Sequence, residues 1–303
     1  MHNIYQVIPL EANLRSEPQL DSKNILTQLK QGQQVQELPP LPKQPTAWCH
    51  VRADVQSTVV EGFVKASLLK KAANMIVPPA ILPPLPEAYL TAKVAVSITN
   101  PDLRAYALND PQQPRRTGTV SATRVQQLAA IITYLRVESA IRYKRTSTAT
   151  FCNIYAHDYC HLAGVYLPRV WWRAKALTQL VQGLKPAVQY GVTVEEYNVT
   201  ALFNWLEEFG PDFGWRRTLS VEELQQAANL GLVAIIAAQR NNLNAPGHIV
   251  AVVPETAQHK ATRKAGVVTV PLQSQAGATN FRYGGRTWWT GTQFRRFGFW
   301  IHA

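Results

Sequence analysis

The chain reads as an α+β protein: a helix bundle packed on an antiparallel sheet, preceded by a small all-β module. Three observations predict this. Short apolar-alternating segments, broken by turn residues, fill positions 12 to 69. A proline-dense stretch follows, and beyond it apolar residues recur at helical spacing. The last third returns to short apolar strands, so helices come first and the sheet after.

Within the first part, "NILTQLKQGQQVQELPPLP" places apolar residues at Ile25, Leu26, Leu29, Val35 and Leu38, with Gly32 at an expected hairpin turn. "AWCHVRADVQSTVVEGFVKASLL" follows with Trp48, Val51, Val59, Val60, Phe63 and Val64 in half-buried alternation. "KKAANMIVPPAILPPLPEAYL" then carries prolines from Pro78 to Pro86. Proline fixes φ and removes a backbone donor, so this stretch is expected to be a stiff linker. The resulting division is a β module over 1–72, a linker over 73–88 and a second domain over 89–303.

In the second domain, "ATRVQQLAAIITYLRVE" shows apolar positions at 125, 128, 129, 132 and 135, one face of a helix. "TATFCNIYAHDYCHLAG" is a second helix, with Thr150 as its expected N-cap and Gly164 as its stop. "EYNVTALFNWLEEFG" and "SVEELQQAANLG" are two more, the latter capped by Ser220 with Glu223 at the capping-box position. "VAIIAAQ", "GHIVAVVPE" and "VVTVPLQS" read as strands, and "GGRTWWTGTQFRRFGFWIH" supplies one or two more.

The totals bound the class. Of 303 residues, 46% are hydrophobic and 17% charged, which supports a buried core and excludes disorder. No apolar run is long enough for a membrane span. Three cysteines form no disulfide framework and leave at least one thiol free. The net charge of +12 implies an anionic partner. The basic residues are scattered, without a dense block or binding motif, so nucleic acid is not the expected partner. A bacterial wall, with carboxylate-bearing peptides and phosphate polymers, fits the charge as well.

Reactive chemistry concentrates around Cys152. A cysteine becomes a nucleophile when a helix N-terminus and an imidazole favour its thiolate. The start of the second helix offers the first condition, and His248, after Pro246-Gly247 and opening an apolar strand, offers the second. Gly247 lets that strand begin without crowding the site. A third, polar group should fix the imidazole tautomer. Gln273 is first in line, with Gln275 and Asn280 as alternatives. His157 and His161 share a helix face beside Cys160, but no second Cys/His pair with ligand spacing accompanies them, so no metal is expected. Asp158 is expected to tie the helix to a neighbouring segment. Trp171 and Trp172 are candidates to line the cleft.

Two resemblances sharpen this reading. "NLRSEP", "LKQGQQVQEL", "AWCHVR" and "EGFVKASLL", in that order over nearly sixty residues, resemble a bacterial SH3-like module. "TATFCNIYAHDYCHLAGVYLPR", the preceding helix and "GHIVAVVPE" resemble papain-like cell-wall peptidases and amidases of the NlpC and CHAP groups, over roughly residues 120 to 280. The chain departs from the better-known subgroup in having "TFCNIYA" where a "DCSGF"-type box is usual, so that subgroup's bond specificity does not carry over. The resemblance implies hydrolysis of a peptidoglycan amide through an acyl-enzyme, with Cys152 as nucleophile, His248 as base and no cofactor. It also implies an oxyanion site at the Cys152 amide, helped by Tyr143 or Asn153. The implied place of action is the bacterial wall, in the periplasm or outside the cell. The opening "MHNIYQVIPLEANLRSEPQL" lacks the pattern of a secretory signal, so the expected route is leaderless export, or cytoplasmic residence until release. The competing reading is a papain-like effector that modifies a protein, with an immunity protein as partner.

Overall fold

A computed structural model describes residues 3–42, 44–55, 58–71 and 85–303. The chain forms two compact units, Met1–Ile81 and Leu82–Ala303. The first contains strands β1 (Ile4–Val7), β2 (Glu11–Arg15), β3 (Ile25–Lys30), β4 (Gln34–Glu37), β5 (Trp48–Val55), β6 (Thr58–Lys65) and β7 (Leu69–Lys71). They make one antiparallel sheet in the order β3-β2-β6-β5-β4-β1-β7. Leu14, Leu29, Val35, Val51 and Val64 form its core. The turn at Gly32 does not make a hairpin: β3 pairs back onto β2, whereas β4 pairs with β5 and β1. Alternation identifies strands; it does not choose their partners.

Of the expected linker, residues 73–84 lie outside the described residues. Residues 85–88 belong to the packed second unit. The Ala88 amide donates to the Tyr166 hydroxyl at 2.9 Å, and the Trp172 indole donates to the Pro86 carbonyl at 2.8 Å.

The second unit is α+β. Its helices are α1 (Ser121–Leu135), α2 (Cys152–Leu162), α3 (Ala174–Val181), α4 (Val199–Glu208) and α5 (Val221–Asn229). Short strands β8 (Val170–Trp172), β9 (Val194–Glu196) and β10 (Arg216–Thr218) lie among them. There follow β11 (Val233–Arg240), β12 (His248–Val252), β13 (Thr262–Lys264), β14 (Val267–Val270), β15 (Gln273–Gln275), β16 (Phe281–Gly284) and β17 (Phe294–His302). The central antiparallel sheet runs β10-β17-β11-β12-β15-β16. Ile235, Ala237, Ile249 and Ala251 face α2 and α4, while Ile236, Val250 and Val252 face α5 and the Trp288–Thr290 turn. Burial on both faces explains why these strands read as unbroken apolar runs.

Helix α2 is enclosed by this core. Its Asp158 is fully buried, receiving the Arg142 guanidinium at 2.6 Å and the Tyr143 hydroxyl at 2.8 Å. Arg142 also donates to the carbonyls of Leu103 (3.0 Å) and Tyr106 (2.8 Å), so the buried charges satisfy each other and lock the helix to its surroundings. Gly164, in the left-handed region at φ 72°, ends the helix, and the Val165 amide returns to the Cys160 carbonyl at 2.9 Å. At α5, Ser220 accepts from the Glu223 amide, but Glu223 turns its carboxylate to Thr218 and Arg216 and leaves the reciprocal half of the capping box unmade.

Among the described residues, no helix is long and apolar enough to cross a membrane.

Candidate active site

Helix α2 starts one residue later than its sequence suggests. Phe151 occupies the cap position with no side-chain cap bond, and Thr150 stays exposed outside the helix. Cys152 is therefore the first helical residue, where the backbone amide has no carbonyl within the helix to bind. Asn153 pins this end of the helix by donating its side-chain amide to the Tyr197 carbonyl at 2.9 Å.

Cys152 and His248 lie close enough to act on each other's protonation. Burial pushes the thiol up, but the charge of His248, its hydrogen bond, and the backbone amides of Ile249 and Asn153 together outweigh burial. The thiol is held below its ordinary range. The imidazole moves the opposite way. Burial pushes it down and Arg240 adds to that, yet the charge and hydrogen bond of Cys152 and the hydrogen bond to Gln275 raise it above its usual value. Both shifts favour moving the proton from the sulfur to the imidazole.

Gln275 sets the tautomer. Its Nε2 donates to the Thr279 carbonyl at 2.9 Å, so its Oε1 is the atom turned to His248 Nε2, at 2.7 Å. Nε2 must then carry hydrogen and donate, which leaves Nδ1 for the sulfur. The Trp288 ring closes the other side, edge-to-face on the imidazole with centroids 4.5 Å apart.

Strand register explains why Gln275 holds this place and Gln273 does not. Ala251 pairs with Ser274 and Val252 with Gln273. Continuing the antiparallel count, Val250 faces Gln275 and His248 faces Gly277. Gln273 lies on the same face but four residues from that point, roughly 13 Å away along the strand. It is fully buried, donates to the carbonyls of Pro271 and Arg286, and accepts from the Trp288 indole at 3.0 Å. Its contact with His248 is indirect, through Trp288. Asn280 is a brace: it donates to the carbonyls of Val137 (2.8 Å) and Tyr143 (3.0 Å) and accepts from the Gly277 amide.

Two glycines permit close approach. A Cβ on Gly247 would stand 2.2 Å from the Ala238 carbonyl oxygen, so β12 begins pressed against β11 only because that residue is glycine. Gly247 packs there and does not line the cavity beside Cys152. A Cβ on Gly277 would lie 3.2 Å from the His248 ring and 3.1 Å from Gln275 Nε2, and no local motif marks this glycine.

Cys152 opens onto a cavity of about 450 Å³. Its walls include the segment from Arg145 to Thr150, Arg104, Arg169, Glu196 and Asn198, together with Asn153. Three expected lining residues are elsewhere. Tyr143 is fully buried, with its hydroxyl committed to Asp158. Trp171 packs in an aromatic cluster with Tyr166, Trp205, Phe209 and Phe213. Trp172 is buried with its indole on Pro86. Aromatic rings found the apolar core before the groove.

The second cysteine-histidine group of α2 is packing. The rings of His157 and His161 stack at 5.8 Å. His157 Nδ1 meets the Leu167 carbonyl, and His161 Nε2 meets that of Leu108. Among the described residues, no group of three or more His, Cys, Asp or Glu side chains is placed to hold a metal ion.

The arrangement brings together a sulfur whose charged form is favoured, an imidazole held by Gln275, a first-turn amide beside the sulfur and an open cavity against it. Those parts suffice for acyl transfer.

No family model and no curated protein matches this chain. Among solved structures, it is similar to NlpC2 from Trichomonas vaginalis, aligned over 100% of this chain and 97% of that one at 8% identity and a TM-score of 0.25. Similarity at that level assigns neither family nor fold.

Proposed function

We propose that the protein is a cysteine hydrolase that cleaves an amide bond in bacterial peptidoglycan, in the stem or the cross-bridge. The observation that carries the reading is the Cys152–His248–Gln275 set, with Cys152 at a helix start and opening onto a cavity. The Cys152 thiolate attacks the amide carbonyl, forming a C–S bond and an oxyanion near the Cys152 backbone amide. The C–N bond then breaks as His248 Nδ1–H protonates the leaving amine. Water, deprotonated by the now neutral His248, attacks the thioester; the C–S bond breaks, a carboxylic acid leaves, and the thiolate–imidazolium pair is restored.

Support for a wall substrate comes from the net charge of +12 and from the first unit. There Arg15 is buried and donates to Asn24 at 2.9 Å within an all-antiparallel sheet, in keeping with an SH3-like wall-binding barrel. In the second unit, α2 packs on an antiparallel sheet that carries the histidine and glutamine on neighbouring strands, in keeping with papain-like packing. The place of action in this reading is the wall, outside the cytoplasmic membrane. Hydrolysis of purified sacculi by wild type, and its loss in both Cys152→Ala and His248→Ala, is the expected result. Full activity in the two variants would end this proposal.

A further inference from the structure

Tyr155 lies about one turn beyond Cys152 on the same face of α2, and its side chain leans back toward the helix start. It is fully buried, and its hydroxyl stands 2.5 Å from that of Ser274 on β15. The Ser274 hydroxyl donates to the Phe281 carbonyl at 3.2 Å, so its one hydrogen is used there and Tyr155 donates to its oxygen. Phe281 pairs with Gln275 across β15 and β16. Two hydroxyls in series thus run from the helix of the sulfur to the neighbour of Gln275, and end on the residue opposite Gln275. Alternate residues of a strand face opposite sides: Ser274 turns to α2, and Gln275 to His248.

The other polar side chains of α2 are tied elsewhere. Asn153 bonds the Tyr197 carbonyl, His157 that of Leu167 and His161 that of Leu108, while Asp158 holds Arg142 and Tyr143. Among the described residues, and apart from the contacts of Cys152 itself, Tyr155–Ser274 is the one side-chain hydrogen bond between α2 and the six-stranded sheet. Apolar burial brings helix and sheet together but has no direction. A hydrogen bond has one, and weakens steeply when its partners move out of line. We infer that Tyr155 is a positioning residue: through Ser274 it sets where the Cys152 helix stands against the strand whose Gln275 holds His248. This rests on the reading of Cys152 as nucleophile, and it names the contact that fixes the sulfur relative to its base.

The test is iodoacetamide labelling of Cys152 as a function of pH, read by peptide mass spectrometry and paired with urea midpoints. It compares wild type, Tyr155→Phe, Ser274→Ala and the double variant. Tyr155→Phe keeps the ring and its edge-to-face contact with Tyr143 at 5.3 Å, and Ser274 keeps the Phe281 carbonyl, so this variant is expected to fold. The charges around the pair are the same in all four proteins: Arg240 acting on His248, and Arg104, Arg145, Arg169 and Glu196 in the cavity wall. A displaced profile therefore reports geometry. In Tyr155→Phe, labelling below about 8.5, the ordinary thiol value, is expected to slow about three- to tenfold, a displacement of about half to one pH unit toward alkali. Rates should converge with wild type in alkali, where the thiol is ionised without help. Ser274→Ala should move the profile in the same direction, and the double variant no further than Tyr155→Phe alone, because both remove one contact. Lowered stability with an unmoved profile in Tyr155→Phe, or additive displacements in the double variant, overturns the inference and leaves the nucleophile reading standing. A folded wild type whose Cys152 labels only in alkali ends that reading and this inference with it.

Discussion

Cys152 and Cys160 lie on the same helix, about two turns apart, and both are buried, at 4% and 0% exposure. Their thiols nevertheless move in opposite directions. Burial alone acts on Cys160, opposed only by the charge of Arg116, and pushes its thiol far above the ordinary range. At Cys152 the same penalty is outweighed by His248 and two backbone amides. The histidines repeat the contrast. His157, deep in the helix, is driven down to about 4 chiefly by burial, while His248 is raised. What separates the two cysteines is a partner that receives the charge, since burial is common to both.

Removing each sulfur separately gives the largest expected contrast. Cys152→Ala should lose at least about a thousandfold of hydrolytic turnover, the scale of deleting a nucleophile. Cys160→Ala should keep activity and lose stability, by about 1–2 kcal/mol for a small cavity in the core. Rates of sacculus clearing and urea midpoints separate the two results. Loss of turnover in Cys160→Ala with unchanged stability would break the comparison.

The two glutamines of β15 sharpen it at the next level. Gln275→Ala removes the acceptor that fixes His248, and a charge-assisted hydrogen bond of this kind corresponds to roughly a ten- to hundredfold fall in kcat. Gln273→Ala instead strands the Trp288 indole and two carbonyls, so stability should drop by about 1–3 kcal/mol with a smaller loss of kcat. Steady-state kinetics on a fluorogenic wall peptide, paired with denaturation, distinguishes them. The reverse order of kcat losses would assign the orienting role to Gln273.

A smaller effect is expected at Gly277. Its added methyl in Gly277→Ala must displace the His248 ring or the Gln275 amide by a few tenths of an ångström. A shift of that size in the base should lower kcat by about three- to tenfold with little change in KM. Unaltered kcat would mean that the loop absorbs the methyl without moving the imidazole.

Much of this was legible in the chain. Cys152 before a helical run and His248 after Pro-Gly were singled out by local chemistry, and the structure brings their side chains together. The choice among Gln273, Gln275 and Asn280 was not legible, because it depends on the register of β12 with β15, and register is a relation between strands. Trp171 and Trp172 are candidates for the cleft by type and nearness to α2, and Tyr143 enters only through the resemblance. Which side of an element faces the core depends on packing partners that spacing does not name, and here all three are buried. The same holds for Arg145, which in sequence is one exposed cation beside a Ser/Thr run. Gly277 had no local signal at all; only the imidazole across the strand gives it meaning.

The measurement that bears most directly on the pair is the pH dependence of iodoacetamide labelling, read at each cysteine by peptide mass spectrometry. With the thiol of Cys152 lowered and the imidazole of His248 raised, both shifts favour a thiolate beside an imidazolium. Labelling of Cys152 should therefore extend below about 8.5, the ordinary thiol value, and fall as the sulfur is protonated. In His248→Ala the same residue should label only at alkaline pH, and Cys160 should resist labelling throughout in the folded protein. Identical pH profiles for Cys152 in wild type and His248→Ala would contradict the account.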